Sequence, residues 1–313
     1  MPITYDPPAY GTPTYDQLVE EVLSNLQGYT LSPDQVTYLT ADCTASDTTL
    51  AVAAQTGIAA GMGIGMVEVG DELMQVINYD EPTSTLTLLP RGRGWRGTTA
   101  SAHSNGDTVT VSPLVPRSRV KAAVNDVVNA LWGYGVFAVD STEFTWTPGI
   151  TLAWGIPAEA LSILDVRYRD VLGNWIVVRG WEVTRSQNTT SFTTGTALRI
   201  TESLGIPTTV RVTYGKRATP LSSGSALLTD SGLSVSAKDL LVYGAMARLV
   251  PALDAGRLGM QYVPADELDQ PRQLGSAVAI SKEFNARFTE AVNAERLSLQ
   301  NQYPAPLHFV SAR

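Results

Sequence analysis

Hydrophobic positions recur along this chain with two different periods. Leu18, Val19, Val22, Leu23 and Leu26 follow helical spacing, which predicts a helix over residues 15–26, with Thr14 suited to cap it and Gly28 to end it. From Tyr38 the period falls to two. Residues 49–52, 66–69, 73–79 and 85–89 alternate as strands, Val109 and Val111 close the set, and residues 57–65 form a glycine-rich connection. Residues 35–114 thus predict a small all-β module. Val120, Ala123, Val124, Val127, Val128 and Leu131 form a second helical stripe, predicting a helix over residues 117–132 with Pro116 before it and Gly133 and Gly135 after it.

Alternation returns between residues 138 and 214, with strands at 143–146, 163–168, 175–178, 182–185, 197–200 and 209–214. Gly173-Asn174, inside 170–174, marks a hairpin turn. Beyond residue 220 the pattern is helical again. Ser236 and Asp239 read as a variant capping box for a helix that Pro251 limits. Residues 252–275 are punctuated by Gly and Pro and read as a connection. Ile280, Phe284, Phe288, Ala291 and Val292 then predict a long helix over 276–302. The order helix, β module, helix, β module, two helices predicts an α+β fold, a bundle of about four helices interrupted by two inserted all-β modules. The segments are an arm with the first bundle helix (1–34), the first β module (35–114), the second bundle helix (115–136), the second β module (137–219), the C-terminal bundle helices (220–302) and an extended tail (303–313).

Composition narrows the function classes. Charged residues make up 17% of the chain, a low share that suits either a surface covered by neighbouring chains or a β-rich surface of Ser and Thr. The net charge of -8 argues against a sequence-independent grip on nucleic acid, which needs a basic face. With Cys43 as the one cysteine there is no disulfide framework and no cysteine-based zinc site. The first residues lack the basic and apolar regions of a signal peptide, and no apolar run has the length of a membrane span, so the chain is expected to be made and kept in a cytosol or to reach the outside by lysis.

The segment 66–111 holds the densest candidate chemistry. Gly92-Arg-Gly94-Trp-Arg-Gly97 matches the glycine pattern of a dinucleotide loop and comes after a strand. Such a loop must open a helix whose N-terminus holds the pyrophosphate, whereas the Thr, Ser and Asn downstream favour turns, so no cofactor is expected. Arg91, Arg93 and Arg96 around Trp95 suit base stacking or a contact with a neighbouring subunit, and the acidic chain favours the second. His103 and His308 are the only histidines and no G-x-S-x-G elbow exists, so nucleophilic catalysis has no support. Glu68, Asp71 and Glu72, and likewise Asp266, Glu267 and Asp269, are the only candidates for paired-carboxylate hydrolysis of glycans; in polar turns such acids are usually solvated. No catalytic, cofactor-binding or metal-ligating residue is assigned. Trp146, Trp154, Trp175 and Trp181 suit either a packed core or a sugar platform.

The run Glu-Val-Gly-Asp-Glu-Leu-Met (68–74), then Thr-Leu-Thr (85–87), Arg-Gly-x-x-x-Arg-Gly-Thr (91–98) and Ala-His-x-x-Gly (102–106) resembles a small β module of structural proteins of tailed bacteriophages. The helical frame with Leu240–Val250 and the long C-terminal helix is similar to that of phage head-to-tail connector (adaptor) proteins, and the interrupted bundle resembles the tail-tube gatekeepers of short-tailed phages. The resemblance implies a non-enzymatic virion protein of the neck, assembled in the host cytoplasm. It would form a homo-oligomeric ring of twelve copies that binds the portal, meets tail completion or terminator proteins, and lets double-stranded DNA pass without specific binding. Its C-terminal segment, with Tyr303, Pro304, Pro306, Leu307, His308, Phe309 and Val310, would dock on the portal. The tip bearing Arg91, Arg93, Trp95, Arg96 and His103 would meet a neighbouring subunit or a tail protein. The alternative is a tail or baseplate component with glycan-binding β modules. No membrane partner is implied.

Overall fold

The computed structural model describes residues 11–27, 34–53, 65–150, 152–258 and 276–304. The protein is α+β, with four α-helices among the described residues and only antiparallel strand pairing in its sheets. The helices are α1 (Tyr15–Gln27), α2 (Arg117–Ala130), α3 (Lys238–Leu258) and α4 (Ser276–Gln302). The chain divides into two compact units. One comprises residues 15–126 and 241–288, the other residues 1–14, 127–240 and 289–313.

The first unit is built around strands β1 (Gln35–Tyr38), β2 (Thr49–Ala51), β3 (Gly65–Val69), β4 (Glu72–Asp80), β5 (Thr85–Leu88) and β6 (Thr108–Val111). They hydrogen-bond in the order β1-β6-β3-β4-β5-β2. A bridge between Leu39 and Val52 joins the two outer strands, with Thr40 N–H donating to Ala51 O at 3.0 Å and Ala53 N–H to Tyr38 O at 2.8 Å. The sheet therefore closes on itself, which leaves no edge for a foreign strand at that seam. The closed interior is apolar: Leu39, Leu50, Val52, Val67, Val69, Met74, Leu86, Leu88 and Val109 belong to one buried cluster. Each such side chain contributes about 1.5–3 kcal/mol by leaving water. Strand β1 and the closure are not evident in the sequence, because four residues of mixed polarity carry no clear alternation.

Beside it, α1 meets α2 where Tyr15 Oη donates to Lys121 O at 2.6 Å. In the same unit α3 runs through Pro251 to Leu258, although the proline is expected to end it. A proline has no N–H, so the carbonyl of Ala247, one turn earlier, loses its helical donor. Ser281 of α4, itself buried, supplies the replacement by donating Oγ–H to Ala247 O at 3.2 Å. Tyr243 and Phe284 stack nearby at 6.4 Å.

The second unit holds strands β7 (Ala138–Trp146), β8 (Leu152–Gly155), β9 (Ser162–Arg169), β10 (Trp175–Val177), β11 (Trp181–Thr184), β12 (Ala197–Ile200) and β13 (Thr208–Lys216). They form a four-stranded sheet, β10-β9-β13-β7, and a three-stranded sheet, β11-β12-β8. Val166, Val210 and Val212 of the first sheet share one core with Leu198 and Ile200 of the second. The expected start of α3 is also revised here. Ser236 lies in a short 3-10 turn before Lys238, and its hydroxyl donates to the buried Glu295 carboxylate of α4 at 2.7 Å, as Ser234 does at 2.6 Å. A hydroxyl donating to a carboxylate makes a stronger bond than one between neutral groups, and both serine hydroxyls are turned to Glu295.

No helix among the described residues is long and apolar enough to cross a membrane. Within the expected tail, Tyr303 N–H still donates to Leu299 O at 2.8 Å, closing the last turn of α4, and Pro304 is exposed. Pro306, Leu307, His308, Phe309 and Val310 lie outside the described residues, as do Gly28, most of the glycine-rich connection and the acids Asp266, Glu267 and Asp269.

Candidate functional site

The glycine- and arginine-rich loop of the barrel is organised by one carboxylate. Strands β3 and β4 turn through Gly70 and Asp71, and β4 begins at Glu72. The Glu72 side chain is fully buried and accepts five hydrogen bonds. Arg93 donates Nε–H and an Nη–H to its two oxygens, each at 2.8 Å. Gly94 N–H adds 2.9 Å and Ser101 N–H 3.0 Å. His103 Nε2 lies 2.9 Å from Oε2 and must donate, since an ionised carboxylate only accepts. Burial pushes this carboxyl up, but Arg93, Ser101, His103 and Gly94 together outweigh it and hold Glu72 down at about 2.

Arg93 also donates to Thr44 O at 2.6 Å and Ser101 O at 2.5 Å, so it ties three segments of the barrel to one point. The Cys43–His103 bridge, with both N–H to O distances at 2.9 Å, joins the two outer segments directly. Thr98 accepts Leu73 N–H at 3.0 Å and donates to Trp95 O at 2.9 Å. The glycines answer to the same packing. A Cβ on Gly92 would stand 2.7 Å from Gln75 O and Leu89 O, and Gly94 sits at φ +60° with Thr98 O 2.8 Å from where its Cβ would be.

The resemblance to a phosphate loop thus has a physical basis. Backbone N–H groups and an arginine do converge on an anion, and that anion is the chain's own Glu72. Beyond Gly94 the chain makes a single 3-10 turn, Trp95–Gly97, with Arg96 in left-handed backbone at φ 54°.

The five residues expected to meet a neighbour therefore divide in two. Arg93 and His103 are turned inward, with side chains only 9% and 8% exposed, and their polar groups are used within the loop. Arg91 and Arg96 are exposed and Trp95 half-buried, on the outer side of the same loop. Arg91, like Arg96, holds positive φ, at 65°. The acids at the turn also differ from the solvated cluster expected. Glu68 and Glu72 are buried, and only Asp71 is open, paired with Lys121 at 2.5 Å. The organising role of Glu72 is not legible in the sequence, although the residue lies in the same glycine- and arginine-rich segment as Gly94, Thr98 and His103.

A second polar feature of this unit is a cleft of about 570 Å³ whose lining includes Glu20, Asp34, Val36, Glu68, Val115 and Arg117. Glu68 accepts Arg117 N–H at 2.8 Å. Burial raises its carboxyl to about 7, against the hydrogen bond and charge of Arg117. A carboxyl raised in the folded state favours folding when protonated. Its contribution is complete below the ordinary value of 4.5 and is lost as pH rises to about 7. The loss amounts to about 3 kcal/mol. Glu68→Gln keeps an acceptor for Arg117 and should flatten this slope. Urea denaturation at pH 4 and pH 8 should show parent and variant close together at the first and the variant more stable at the second.

In the other unit the tryptophans are engaged in packing. Trp146 is buried with its indole N–H on Ile150 O at 3.1 Å, and Trp154 lies parallel to Phe144 at 6.2 Å. Arg211 covers the Trp175 ring at 4.1 Å, and Trp181 packs on the shared core. Among the described residues no group of three or more His, Cys, Asp or Glu is placed to hold a metal ion. Compared with known families the chain matches none, and no curated protein matches it.

Proposed function

We propose that this protein is a structural component of a tailed-bacteriophage virion, a head-to-tail adaptor. In this reading twelve copies form a ring beneath the portal, continue the DNA channel and offer a platform to tail completion or terminator proteins. The four helices form one bundle, into which the two β modules are inserted, and the segment from Tyr303 onward docks on the portal. The acidic chain lets double-stranded DNA pass without adhering. The protein assembles in the host cytoplasm and ends in the neck of the particle.

The observation that carries the reading is the character of the two β modules. Each has its own buried core, and in the first the phage-type sequence run is spent on locking one loop from inside through Glu72. That leaves Arg91, Trp95 and Arg96 on a rigid outer surface, an arrangement suited to docking more than to chemistry. Purified protein mixed with portal should form a ring visible by negative-stain imaging, with a mass set by twelve copies. Failure to bind portal, with no ring of this protein in particles, overturns the proposal.

Arg91 and Arg96 supply a sharper test. Each occupies left-handed backbone, which costs a side-chain-bearing residue about 1–2 kcal/mol and a glycine almost nothing. The double variant Arg91→Gly/Arg96→Gly should therefore melt at or above the parent temperature, yet lose incorporation into particles by tenfold or more. Normal incorporation of the double variant removes the loop from the interface.

A further inference from the structure

The hairpin between β9 and β10 ends in an exposed apolar pair. Val171 and Leu172 are 81% and 82% exposed, the highest values among the large hydrophobic residues described. The tip is rigid. Asp170 N–H donates to Asn174 O at 2.9 Å and Gly173 N–H to Asp170 O at 3.0 Å. The Asp170 carboxylate also accepts from Leu172 N–H at 2.9 Å and Asn174 N–H at 2.7 Å. Turn tips are ordinarily polar, and here the polar residues hold the turn while two apolar side chains are presented outward. Ile176 and Val177, on the short strand β10, are also exposed.

The same unit carries a socket of mixed apolar and hydroxyl lining. A cavity of about 720 Å³ is lined by apolar side chains, among them Ile156, Leu161, Ile163 and Val183, together with Ser162 and three threonines, and Arg185 is its only charged lining side chain. Leu161 and Val183 are 43% and 41% exposed. Leu161 directly precedes β9 and Asp170 directly succeeds it, so socket and tip lie at opposite ends of one strand. At about 3.3 Å per residue they are roughly 30 Å apart.

We propose that Val171 and Leu172 of one copy of this chain enter the socket of the next, with Asp170 at the base of the tip facing Arg185 at the socket. The occupant is a second copy because the chain itself carries both halves of the match: exposed apolar side chains at the tip and at Leu161 and Val183 of the socket, and acidic Asp170 for basic Arg185. A tip and a socket that do not coincide make a heterologous contact: every copy gives one and receives one, and the series ends only by closing into a ring. The inference deepens the ring reading above and rests on it by naming the contact that joins the subunits.

The test uses the full chain and sedimentation or native mass spectrometry. Leu172→Asp blocks the tip and Val183→Asp blocks the socket, both at exposed positions, and unchanged melting confirms that each variant folds. Each alone should be monomeric, its self-association weakened about a hundredfold or more. Mixed together they should form a one-to-one dimer and nothing larger, because only one intact tip and one intact socket remain per pair. A monomeric parent at tens of micromolar, self-association unchanged in either variant, or a mixture that stays monomeric overturns the contact. Rings that persist in both variants, or in particles, would leave the adaptor reading standing while removing this contact from it.

Discussion

Glu72→Ala should destabilise the barrel by about 3–5 kcal/mol, the cost of removing one partner from a buried ion pair. That is a fifth or more of the stability of an ordinary domain, about 5–15 kcal/mol. The substitution leaves the guanidinium of Arg93 buried without its counter-charge and strips Gly94 N–H and Ser101 N–H of their acceptor. Glu72→Gln keeps the shape but turns an amide NH₂ toward donors, so it should recover only part of the loss. Arg93→Ala in the Glu72→Ala background should cost far less than in the parent, since the two side chains act as one unit. Urea denaturation of the four proteins measures this cycle, and additive single effects would show that the pair is not coupled. The pH dependence has a definite sign. A carboxyl held below its ordinary value stabilises the fold above that value and loses the contribution as pH falls from 4.5 to about 2. The loss is about 3 kcal/mol and should be absent from Glu72→Ala. Because Glu68 acts in the opposite direction between pH 4.5 and 7, the first unit should be most stable near pH 4.5 as far as these two groups decide it.

Pro251→Ala should be the largest stabilising change, raising stability by up to about 3 kcal/mol, the usual penalty of a proline inside a helix. Pro251 is exposed and lies within α3, so alanine restores an N–H to Ala247 O without disturbing the core. Ser281→Ala alone should cost about 1–3 kcal/mol, because it leaves that carbonyl buried without a donor. In the Pro251→Ala background the same serine substitution should be nearly neutral. Thermal melting of the two single variants and the double variant checks the coupling. An equal cost of Ser281→Ala in both backgrounds would show that the hydroxyl does not replace the missing amide.

These two effects mark the boundary of what can be read from the chain. The long helix over 276–302 and the start of α1 at Tyr15 are legible because apolar residues at helical spacing need only one partner face, whatever that face is. Most strands of both modules are legible for the same reason with period two, while β8 and β1 are too short or too mixed to show it. Pro251 and Ser236 mislead because each belongs, in sequence, to its own helix. One has its defect repaired from α4, and the other is recruited by Glu295, both distant in sequence.

Local pattern by itself determined the α+β class, the alternation of helical and β segments, and the absence of helix after Gly97, because these depend on neighbours within a few residues. The tertiary structure alone decided what the charged groups do. It closed the barrel at Leu39 and Val52, turned Arg93 and His103 inward onto Glu72 while leaving Arg91 and Arg96 outside, and left Val171 and Leu172 exposed at the tip of one hairpin. Burial and hydrogen-bond partners come from residues tens of positions away, and they, more than residue type, set whether a charge is a surface feature or a structural bond.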